Sequence, residues 1–321
     1  MTALPDLNLL PLPDLFAELS GGGLVRRLLE LARDEDLGVL AGATRAGTHA
    51  DITTDSLGEP GQMVSAKMVA RGAGVVAGLA AVPMVIEAFG GGCEFDPLAR
   101  DGEPMRARQS LGIINGPRRR VLMIERTMLN LVSRLSGVAT LTARFVEAIR
   151  AASPHSPARM YDTRKTTPGL RVLEKYAVRC GGGMCHRLGL FDAVLVKDNH
   201  LAAVPLEELA AVIEGVAHSA RKARALRFVE VEVDSLEQLD RLLTLPAGVV
   251  DIVLLDNMSV EQMREAVRRR DNSQGRPQLE ASGGITLETV GVIAGTGIDR
   301  ISAGALTHQA VSVDIGLDIP R

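Results

Sequence analysis

The chain has 321 residues, of which 46% are hydrophobic and 23% are charged, enough to build one large domain or two smaller ones. Its 36 basic and 39 acidic residues nearly balance, so no overall field attracts nucleic acid or a membrane, and any anion site has to be local. Aromatic residues make up only 2% and tryptophan is absent, which argues against a base-stacking platform.

The cysteines and the first residues predict where the protein works. Three cysteines, an odd number, suit a reducing cytosol better than a disulfide framework. The first 16 residues have no basic lead and are broken by Pro5, Pro11 and Pro13, so we expect no signal peptide. No apolar run approaches the roughly 20 residues of a membrane helix. The sequence therefore predicts a soluble, cytoplasmic protein without nucleic-acid or membrane partners.

The first third of the chain predicts a mixed α+β region. LVRRLLELARDEDLG has helical spacing, and its exit through residues 51–55 is predicted to be a loop. QMVSAKMVARGAGVVAG, CEFDPL and MRARQS have strand character, while residues 79–89 form a predicted helix closed by three glycines. Strands cluster here rather than alternating with helices.

Long helices are predicted from Arg119 onward. In VLMIERTMLNLVSRLSG, Arg126 falls on one face with Leu122 and Leu129 and interrupts an apolar stripe, either as a functional cation or as an arginine at the edge of a core. Ser136 is predicted to cap a second helix, from Val138 to Ala151.

The remainder alternates short apolar strands with amphipathic helices. The predicted strands are ARMYD, DAVLVK, RFVEVEVD, VVDIVLLD, QLEAS and DRISAGA. Strict alternation with Val-, Ile- and Leu-rich strands predicts a parallel sheet covered by helices, and this many units favours an α/β barrel. Six clear strands are fewer than the eight of a complete barrel, so the barrel is either open or contains a divergent strand.

Polar residues or glycine turns follow the predicted strands, at the end where α/β barrels place their sites. They are Asp162 to Lys165, Lys197 to Asn199, Glu230 and Glu232, Asp256 and Asn257, Ser282 to Gly284, and Ala303 to Ala305. Any one of them could simply cap the next helix, but six together favour a site. The two glycine turns are placed to bind phosphate, and the first is predicted to open directly into the helix TLETVGVIAG.

Cations are concentrated in the stretch from Met160 to His200. Arg164, Lys165, His186, Arg187 and Lys197 lie at two strand ends and one glycine-rich loop, which predicts a strongly anionic ligand. Glu230 and Glu232 point to one face of their strand, and with Asp256 they could hold Mg²⁺, sugar hydroxyls or these cations.

Two other chemistries compete for the same residues. Cys180, Cys185 and His186 resemble a zinc set but lack a second pair of ligands, so Cys180 is expected to be a core residue and Cys185 a loop residue. Lys197 could form a Schiff base, but the carboxylates and cations around it favour an ion-binding lysine.

The motifs together resemble the quinolinate phosphoribosyltransferase family. They are IERTMLNLVSRLSGVAT, YDTRKTTPGLR, GGGMCHRLGLFDAVLVKDNH, VEVEVDSLEQL, VLLDNM, LEASGGI and GIDRISAGALTH, with a weaker match at DITTDSL. Two departures stand out: Cys185 replaces the usual asparagine, which bears on the positioning of His186, and residues 39–50 look like an insertion.

The resemblance implies an N-terminal α/β sandwich domain, residues 1–128 joined by the tail 307–321, and an open, incomplete α/β barrel domain, residues 129–306. It also implies a homodimer in which Arg126 completes the neighbouring site. The implied reaction joins quinolinate and 5-phosphoribosyl 1-pyrophosphate to give nicotinate mononucleotide, pyrophosphate and CO₂, with Mg²⁺, in NAD biosynthesis.

The resemblance also implies roles for individual residues. Lys165, Glu232 and Asp256 are the implied catalytic residues, and the last two are possible ligands of an Mg²⁺ ion held mainly through the substrate pyrophosphate. The implied substrate-binding residues are Arg126, Thr163, Arg164, Lys165, His186, Arg187, Lys197, Glu232, Asp256, Ser282, Gly283, Gly284, Ala303, Gly304 and Ala305.

Two other functions stay open at this point. One is a phosphoribosyltransferase paralogue that acts on another pyridine or base, against which Arg126, His186 and Arg187 argue only moderately. The other is a non-catalytic phosphosugar or nucleotide sensor, which would not need Lys165, Lys197, Glu232 and Asp256 together.

Overall fold

A computed structural model describes residues 4–38, 51–56 and 61–319, so the predicted insertion at 39–50 lies outside the described residues. The chain forms two compact units. The barrel unit comprises the described parts of 1–9, 142–165 and 183–308, and the sandwich unit those of 10–141, 166–182 and 309–321. The predicted domain limits, at 128/129 and 306/307, stay a prediction.

The elements follow one another along the described chain. The strands are β1 Met63–Ala70, β2 Gly74–Val75, β3 Glu94–Pro97, β4 Pro104–Met105, β5 Ser110–Pro117, β6 Arg159–Tyr161, β7 Val194–Val196, β8 Val229–Val233, β9 Ile252–Asp256, β10 Gln278–Ser282, β11 Arg300–Ser302 and β12 Ile315–Asp318. The helices are α1 Leu12–Ser20, α2 Leu24–Asp36, α3 Ile52–Ser56, α4 Val82–Ala88, α5 Arg118–Ala152, α6 Arg171–Cys180, α7 Asp198–Leu201, α8 Leu209–Ala223, α9 Leu236–Leu243, α10 Val260–Asp271, α11 Val290–Ala294 and α12 Ala305–His308.

The sandwich unit is built on an antiparallel sheet in the order β12-β1-β5-β3. The alternation of MVSAKMVA places Ala66 and Met68 in the core, with Ile114 buried on the neighbouring strand. A separate pair, β2 and β4, is also antiparallel. Because β12 lies at residues 315–318, the sheet joins segments from opposite ends of the sequence.

The barrel unit contains a parallel sheet in the order β6-β11-β10-β9-β8-β7. The first strand along the chain therefore pairs with the last, as in a barrel, while β7 lies at one edge. A parallel bridge joins Tyr161 to Met184 beside β6, but among the described residues it is an isolated bridge and not a seventh strand, so of the two alternatives the open barrel applies. All six predicted strands are present, and the predicted fold class, an open α/β barrel with an α/β sandwich, is confirmed.

Two local expectations were wrong. Residues 52–56 form the short helix α3 rather than a loop, because the Asp51 carboxylate accepts the N–H of Thr54 and caps the turn. The predicted break at Ser136 does not occur, and α5 runs unbroken for 35 residues. Ser136 is fully buried in the sandwich unit, where its hydroxyl accepts the N–H of Ala77 instead of capping a helix.

No helix in the described ranges is both long and apolar enough to pass through a lipid bilayer.

Candidate active site

The carboxyl ends of the six barrel strands bring most of the predicted site residues into one row. In the order of the sheet from β6 to β7, they are Lys165, the turn Ala303–Ala305, the turn Ser282–Gly284, Asp256, Glu232 and Lys197. Lysines therefore stand at the two ends of the row, and the two carboxylates lie on the neighbouring strands β9 and β8.

Lys165 contacts the glycine turn that follows β11. The Thr163 hydroxyl accepts the N–H of Lys165 at 3.0 Å, and the Thr307 hydroxyl donates to the Lys165 carbonyl at 2.5 Å. A Cβ atom on Gly304 would lie 2.7 Å from Lys165 Cδ, so only glycine lets the lysine pass this close to the turn. The backbone of the lysine is thus fixed on both sides, while its side chain is exposed.

Asp256 and the Ser282–Gly284 turn form a second contact of neighbouring strands. Asp256 is paired in register with Ser282, and the N–H of Asn257 donates to the Ser282 carbonyl at 2.9 Å. Gly283 has a φ of 92° and packs on the Asn257 amide, where a side chain would clash. The predicted direct entry into a helix was wrong, because α11 begins only at Val290 after a hydrogen-bonded turn.

Lys197 and Glu232 form the third contact, in which the lysine ammonium donates to the carboxylate. The Lys197 side chain is 43% exposed and already ion-paired, so its environment is neither dry nor purely cationic. A Schiff-base lysine needs a dry or cationic setting, because only such a setting lowers the pKa of the ammonium group. The geometry therefore favours the ion-binding interpretation of Lys197.

Hydrogen bonds from side chains elsewhere in the barrel unit fix the backbone of the segment that carries His186 and Arg187. The Asn8 amide donates to the Cys185 carbonyl at 3.0 Å and accepts the Cys185 N–H at 2.7 Å. The Asp162 carboxylate accepts the His186 N–H, and the Asp192 carboxylate accepts the N–H groups of the two residues that follow Arg187. Cys185 is buried in this loop, and both of its backbone groups are hydrogen-bonded to Asn8.

His186 points into the barrel interior, where it belongs to a buried quartet with Glu230, Glu280 and Arg300. His186 Nε2 lies 2.9 Å from Glu230 Oε2 and 3.4 Å from Glu280 Oε1, and Arg300 Nε donates to Glu280 Oε2 at 2.7 Å. The Arg300 guanidinium also stacks 3.7 Å above the centre of the Tyr161 ring. Direct contact between His186 and a substrate stays a prediction.

The four charges shift one another's pKa values. Burial alone would lower the pKa of His186, but the Glu280 and Glu230 carboxylates raise it to about 9. Burial and the neighbouring Glu280 raise the pKa of Glu230. Burial opposes ionisation of Glu280 too, but His186 and Arg300 outweigh it and lower its pKa. His186 Nδ1 accepts the N–H of Arg187 at 2.8 Å and therefore carries no proton, so the ring proton is on Nε2. The second proton of the coupled His186–Glu230 pair is then on Glu230, in line with its raised pKa.

Sequence reasoning found His186 and Glu230 but missed Glu280 and Arg300. A signal was present, since both are charged residues inside strands that are otherwise buried, QLEAS and RIS. Such residues need a partner of opposite charge. Among the described residues, His186, Glu230 and Glu280 also form the only group of three or more His, Cys, Asp or Glu side chains whose ligand atoms all lie within 4.8 Å of one another, and it contains no cysteine.

Arg126 lies on α5 in the sandwich unit and is exposed. The buried residues near it on α5 are Val121, Ile124, Met128 and Leu129, so the predicted face is buried at Leu129 and interrupted at the exposed Arg126. Of the other predicted residues, Arg187 is buried and Arg164 half-buried, and each makes further interactions. Cys180 is a buried core residue, as predicted.

Comparison with known proteins explains this arrangement. Residues 138–318 match the sequence profile "Quinolinate phosphoribosyl transferase, C-terminal domain", and residues 51–136 match the corresponding N-terminal domain. The chain belongs to the quinolinate phosphoribosyltransferase family. The profiles meet inside α5, the helix that runs from the sandwich unit into the barrel unit.

Named members of the quinolinate phosphoribosyltransferase family are similar over most of their length. A nicotinate-nucleotide pyrophosphorylase [carboxylating] of Mycobacterium leprae is 45% identical over 271 residues, 84% of this chain and 91% of that protein. A probable enzyme of the same name from Bacillus subtilis is 37% identical over 84% of this chain and 88% of that protein. The solved nicotinate-nucleotide pyrophosphorylase of Francisella tularensis is 32% identical, with a TM-score of 0.79 over 98% of this chain and 99% of that one.

Proposed function

We propose that the chain converts quinolinate and 5-phosphoribosyl 1-pyrophosphate into nicotinate mononucleotide, pyrophosphate and CO₂, a step of NAD biosynthesis. Beyond family membership, one observation carries the proposal. The ends of the barrel strands form a row with lysines at both ends, two glycine turns and two adjacent carboxylates. That order suits two polyanions bound on either side of a sugar carbon that becomes cationic.

The basic residues and the turns match the charges of the two substrates. Quinolinate carries two carboxylates, and the phosphoribosyl donor carries a phosphate and a pyrophosphate, so both need several cations in one site. Arg164 and Arg187 have the planar donor geometry that suits carboxylate and phosphate groups. The turns at Gly283–Gly284 and Gly304 offer backbone N–H groups to phosphate oxygens.

In the first chemical step, the ribose C1 atom loses its bond to pyrophosphate and gains a bond to the pyridine nitrogen. The bond from C1 to the pyrophosphate oxygen breaks, the oxygen keeps the electron pair, and C1 gains oxocarbenium character. Fixed carboxylates stabilise such a cation, which is the role we assign to Glu232 and Asp256. Lys165 binds the departing pyrophosphate, and the pyridine nitrogen then donates its lone pair to C1.

The second step releases CO₂ without a protein nucleophile. When the ring nitrogen is quaternised, the bond from the adjacent ring carbon to its carboxylate breaks and the electron pair stays on that carbon. The positive ring stabilises this pair until a proton from solvent neutralises it. The part of this chain in the step is to hold the substrate carboxylates with cations and to keep the ring aligned with C1.

We infer that Mg²⁺ accompanies the pyrophosphate, with Asp256 and Glu232 as its candidate protein ligands. Their carboxylates lie on adjacent strands, and Mg²⁺ prefers oxygen ligands shared between one or two carboxylates and substrate phosphates. One oxygen of each carboxylate already accepts a hydrogen bond, but Glu232 accepts from the Lys197 cation and Asp256 from the neutral Asn257 amide, which makes Asp256 the better candidate. When bound, Mg²⁺ would offset part of the negative charge of the leaving pyrophosphate. Chelation should abolish turnover, and added Mg²⁺ should restore it.

We infer further that the chain is a homodimer in which Arg126 of one subunit completes the site of the other. The support is the exposed position of Arg126 on α5. Mixing an Arg126→Ala variant with a Lys165→Ala variant tests this directly, because one site of each mixed dimer then has both residues. Random exchange should restore about a quarter of wild-type activity. If mixing restores none, Arg126 does not act across a subunit boundary.

A cytoplasmic location is supported by the state of the cysteines. Among the described residues, none of Cys93, Cys180 and Cys185 is in a disulfide, as expected in a reducing compartment. Fractionation of cells that express the tagged chain tests this location.

The decisive experiment supplies the purified chain with quinolinate, the phosphoribosyl donor and Mg²⁺. Nicotinate mononucleotide and CO₂ should appear in equal amounts, and nicotinate should not replace quinolinate. Product from nicotinate or another base alone would identify a paralogue of different specificity. Binding of the donor without any product would instead support a sensor.

A further inference from the structure

The buried quartet of His186, Glu230, Glu280 and Arg300 lies deeper in the barrel interior than the row of residues at the strand ends. On β8, Glu230 precedes Glu232 by two residues, and on β10, Glu280 precedes Ser282 by two. Residues two apart on a strand share a face and are about 6–7 Å apart. The quartet therefore forms the layer of the barrel interior directly beneath the residues assigned to the substrates.

Each carboxylate of the quartet faces a basic group. Arg300 Nε donates to Glu280 Oε2 at 2.7 Å, and His186 Nε2 lies 2.9 Å from Glu230 Oε2 and 3.4 Å from Glu280 Oε1. Glu280, Glu230 and His186 are almost completely buried, and an isolated charge there would be costly. Removing a single charge from the set should therefore disturb it more than removing two that cancel.

His186 connects this layer to the substrate-binding segment. Its backbone N–H donates to Asp162 Oδ1 at 2.9 Å, while its ring accepts the N–H of Arg187 at 2.8 Å. The position of the imidazole thus fixes the peptide from which the Arg187 side chain starts. Nε2 of the same ring is at ion-pair distance from both glutamates, so the quartet determines where the ring lies.

We propose, on the basis of the proposed function, that Glu230, Glu280 and Arg300 are positioning residues that hold the His186 ring and thereby orient Arg187 toward the carboxylates of quinolinate. They act through His186 and need not touch the substrate. Their charge balance, rather than their bulk, is what the site requires.

The proposal is tested by Glu280→Gln, which keeps the shape of the side chain but leaves Arg300 without its counter-charge. The KM for quinolinate should rise about tenfold, while the KM for the phosphoribosyl donor changes less than about twofold. The double variant Glu280→Gln with Arg300→Met removes both charges and should recover most of the loss. If packing alone mattered, the double variant would be worse than the single one.

Asp101→Asn is the matched structural control. Asp101 is a largely buried carboxylate in the sandwich unit that accepts the N–H groups of Leu79 and Ala80. Its replacement should lower the melting temperature but leave the quinolinate KM unchanged. If Glu280→Gln behaves in the same way, or if the purified protein contains one equivalent of metal at the quartet, the proposal is wrong.

A measurement on the wild-type protein keeps the test informative if a variant does not fold. Nitrogen NMR of labelled histidine should show His186 with an unprotonated, hydrogen-bonded Nδ1 and a proton on Nε2. A proton on Nδ1 would remove the connection to Arg187 and overturn the proposal. A wild-type protein that lacks quinolinate turnover but shows this tautomer would instead refute the proposed function.

Discussion

Glu174 provides a direct measure of what burial adds to an ion pair in this protein. Its side chain is 0% exposed and accepts from Arg134 at 2.8 Å and from the backbone N–H and hydroxyl of Thr167 at 3.0 and 2.9 Å. Removing one partner of a buried pair costs about 3–5 kcal/mol. Arg134 is 22% exposed and glutamine keeps one acceptor, so Glu174→Gln should lower the free energy of unfolding by about 2–3 kcal/mol.

The exposed pair Arg26–Glu87 is the control, because it lies in the same unit at a similar distance, 3.0 Å, with side chains 57% and 61% exposed. Glu87→Gln should cost less than about 1 kcal/mol. Urea unfolding followed by circular dichroism measures both variants. The reasoning would be refuted if the two variants lost equal stability, or if Glu174→Gln lost less than about 1 kcal/mol.

Three further outcomes are expected. Lys165→Ala should nearly abolish CO₂ release while the circular dichroism spectrum stays unchanged, because the lysine side chain is exposed and its backbone contacts remain. Gly304→Ala should displace the side chain of Lys165 and raise the KM for the phosphoribosyl donor. The control Gly215→Ala lies in α8 with open space around it, so it should leave this KM unchanged and add up to about 1 kcal/mol to the free energy of unfolding. His186 and Glu230 share a proton and titrate as one pair, and the neighbouring carboxylates raise the pKa of His186 from 6.5 to about 9. The stability that this shared proton adds should be complete below pH 6.5 and lost as pH rises through about 9, which urea unfolding across this range checks.

The barrel could be predicted from sequence because its signals are local. Each strand is a short apolar run bounded by polar or glycine residues, and the helices between them have a regular apolar face. The errors fell where a contact between residues far apart in the sequence determines the local structure. Ser136 has the composition of a helix cap, but a bond to Ala77, 59 residues away, keeps it inside α5. The extent of the bridge at Met184 depends likewise on a strand that precedes it by more than 20 residues.

The residues at the strand ends of the candidate site could be predicted from sequence, but the partners in the buried quartet could not. Strand ends can be read from the sequence, which identified Lys165, Glu232 and Asp256 before their neighbours were known. The partners of a buried charge cannot be read in this way, because pairing across a parallel sheet is set by register. Glu280 meets Arg300 on the adjacent strand and the His186 ring from a loop, and no local pattern specifies that meeting.

The two larger sheets are both completed by residues 300–318, since β11 pairs with β6 and β12 pairs with β1. During synthesis neither β1 nor β6 can gain these neighbours until residues 300–318 have left the ribosome, and the loops to be closed exceed 100 residues. Contacts this distant in sequence make folding slow and leave strand edges open to wrong partners. We therefore expect nascent chains shorter than about 300 residues to depend on chaperones and to aggregate when these are withdrawn.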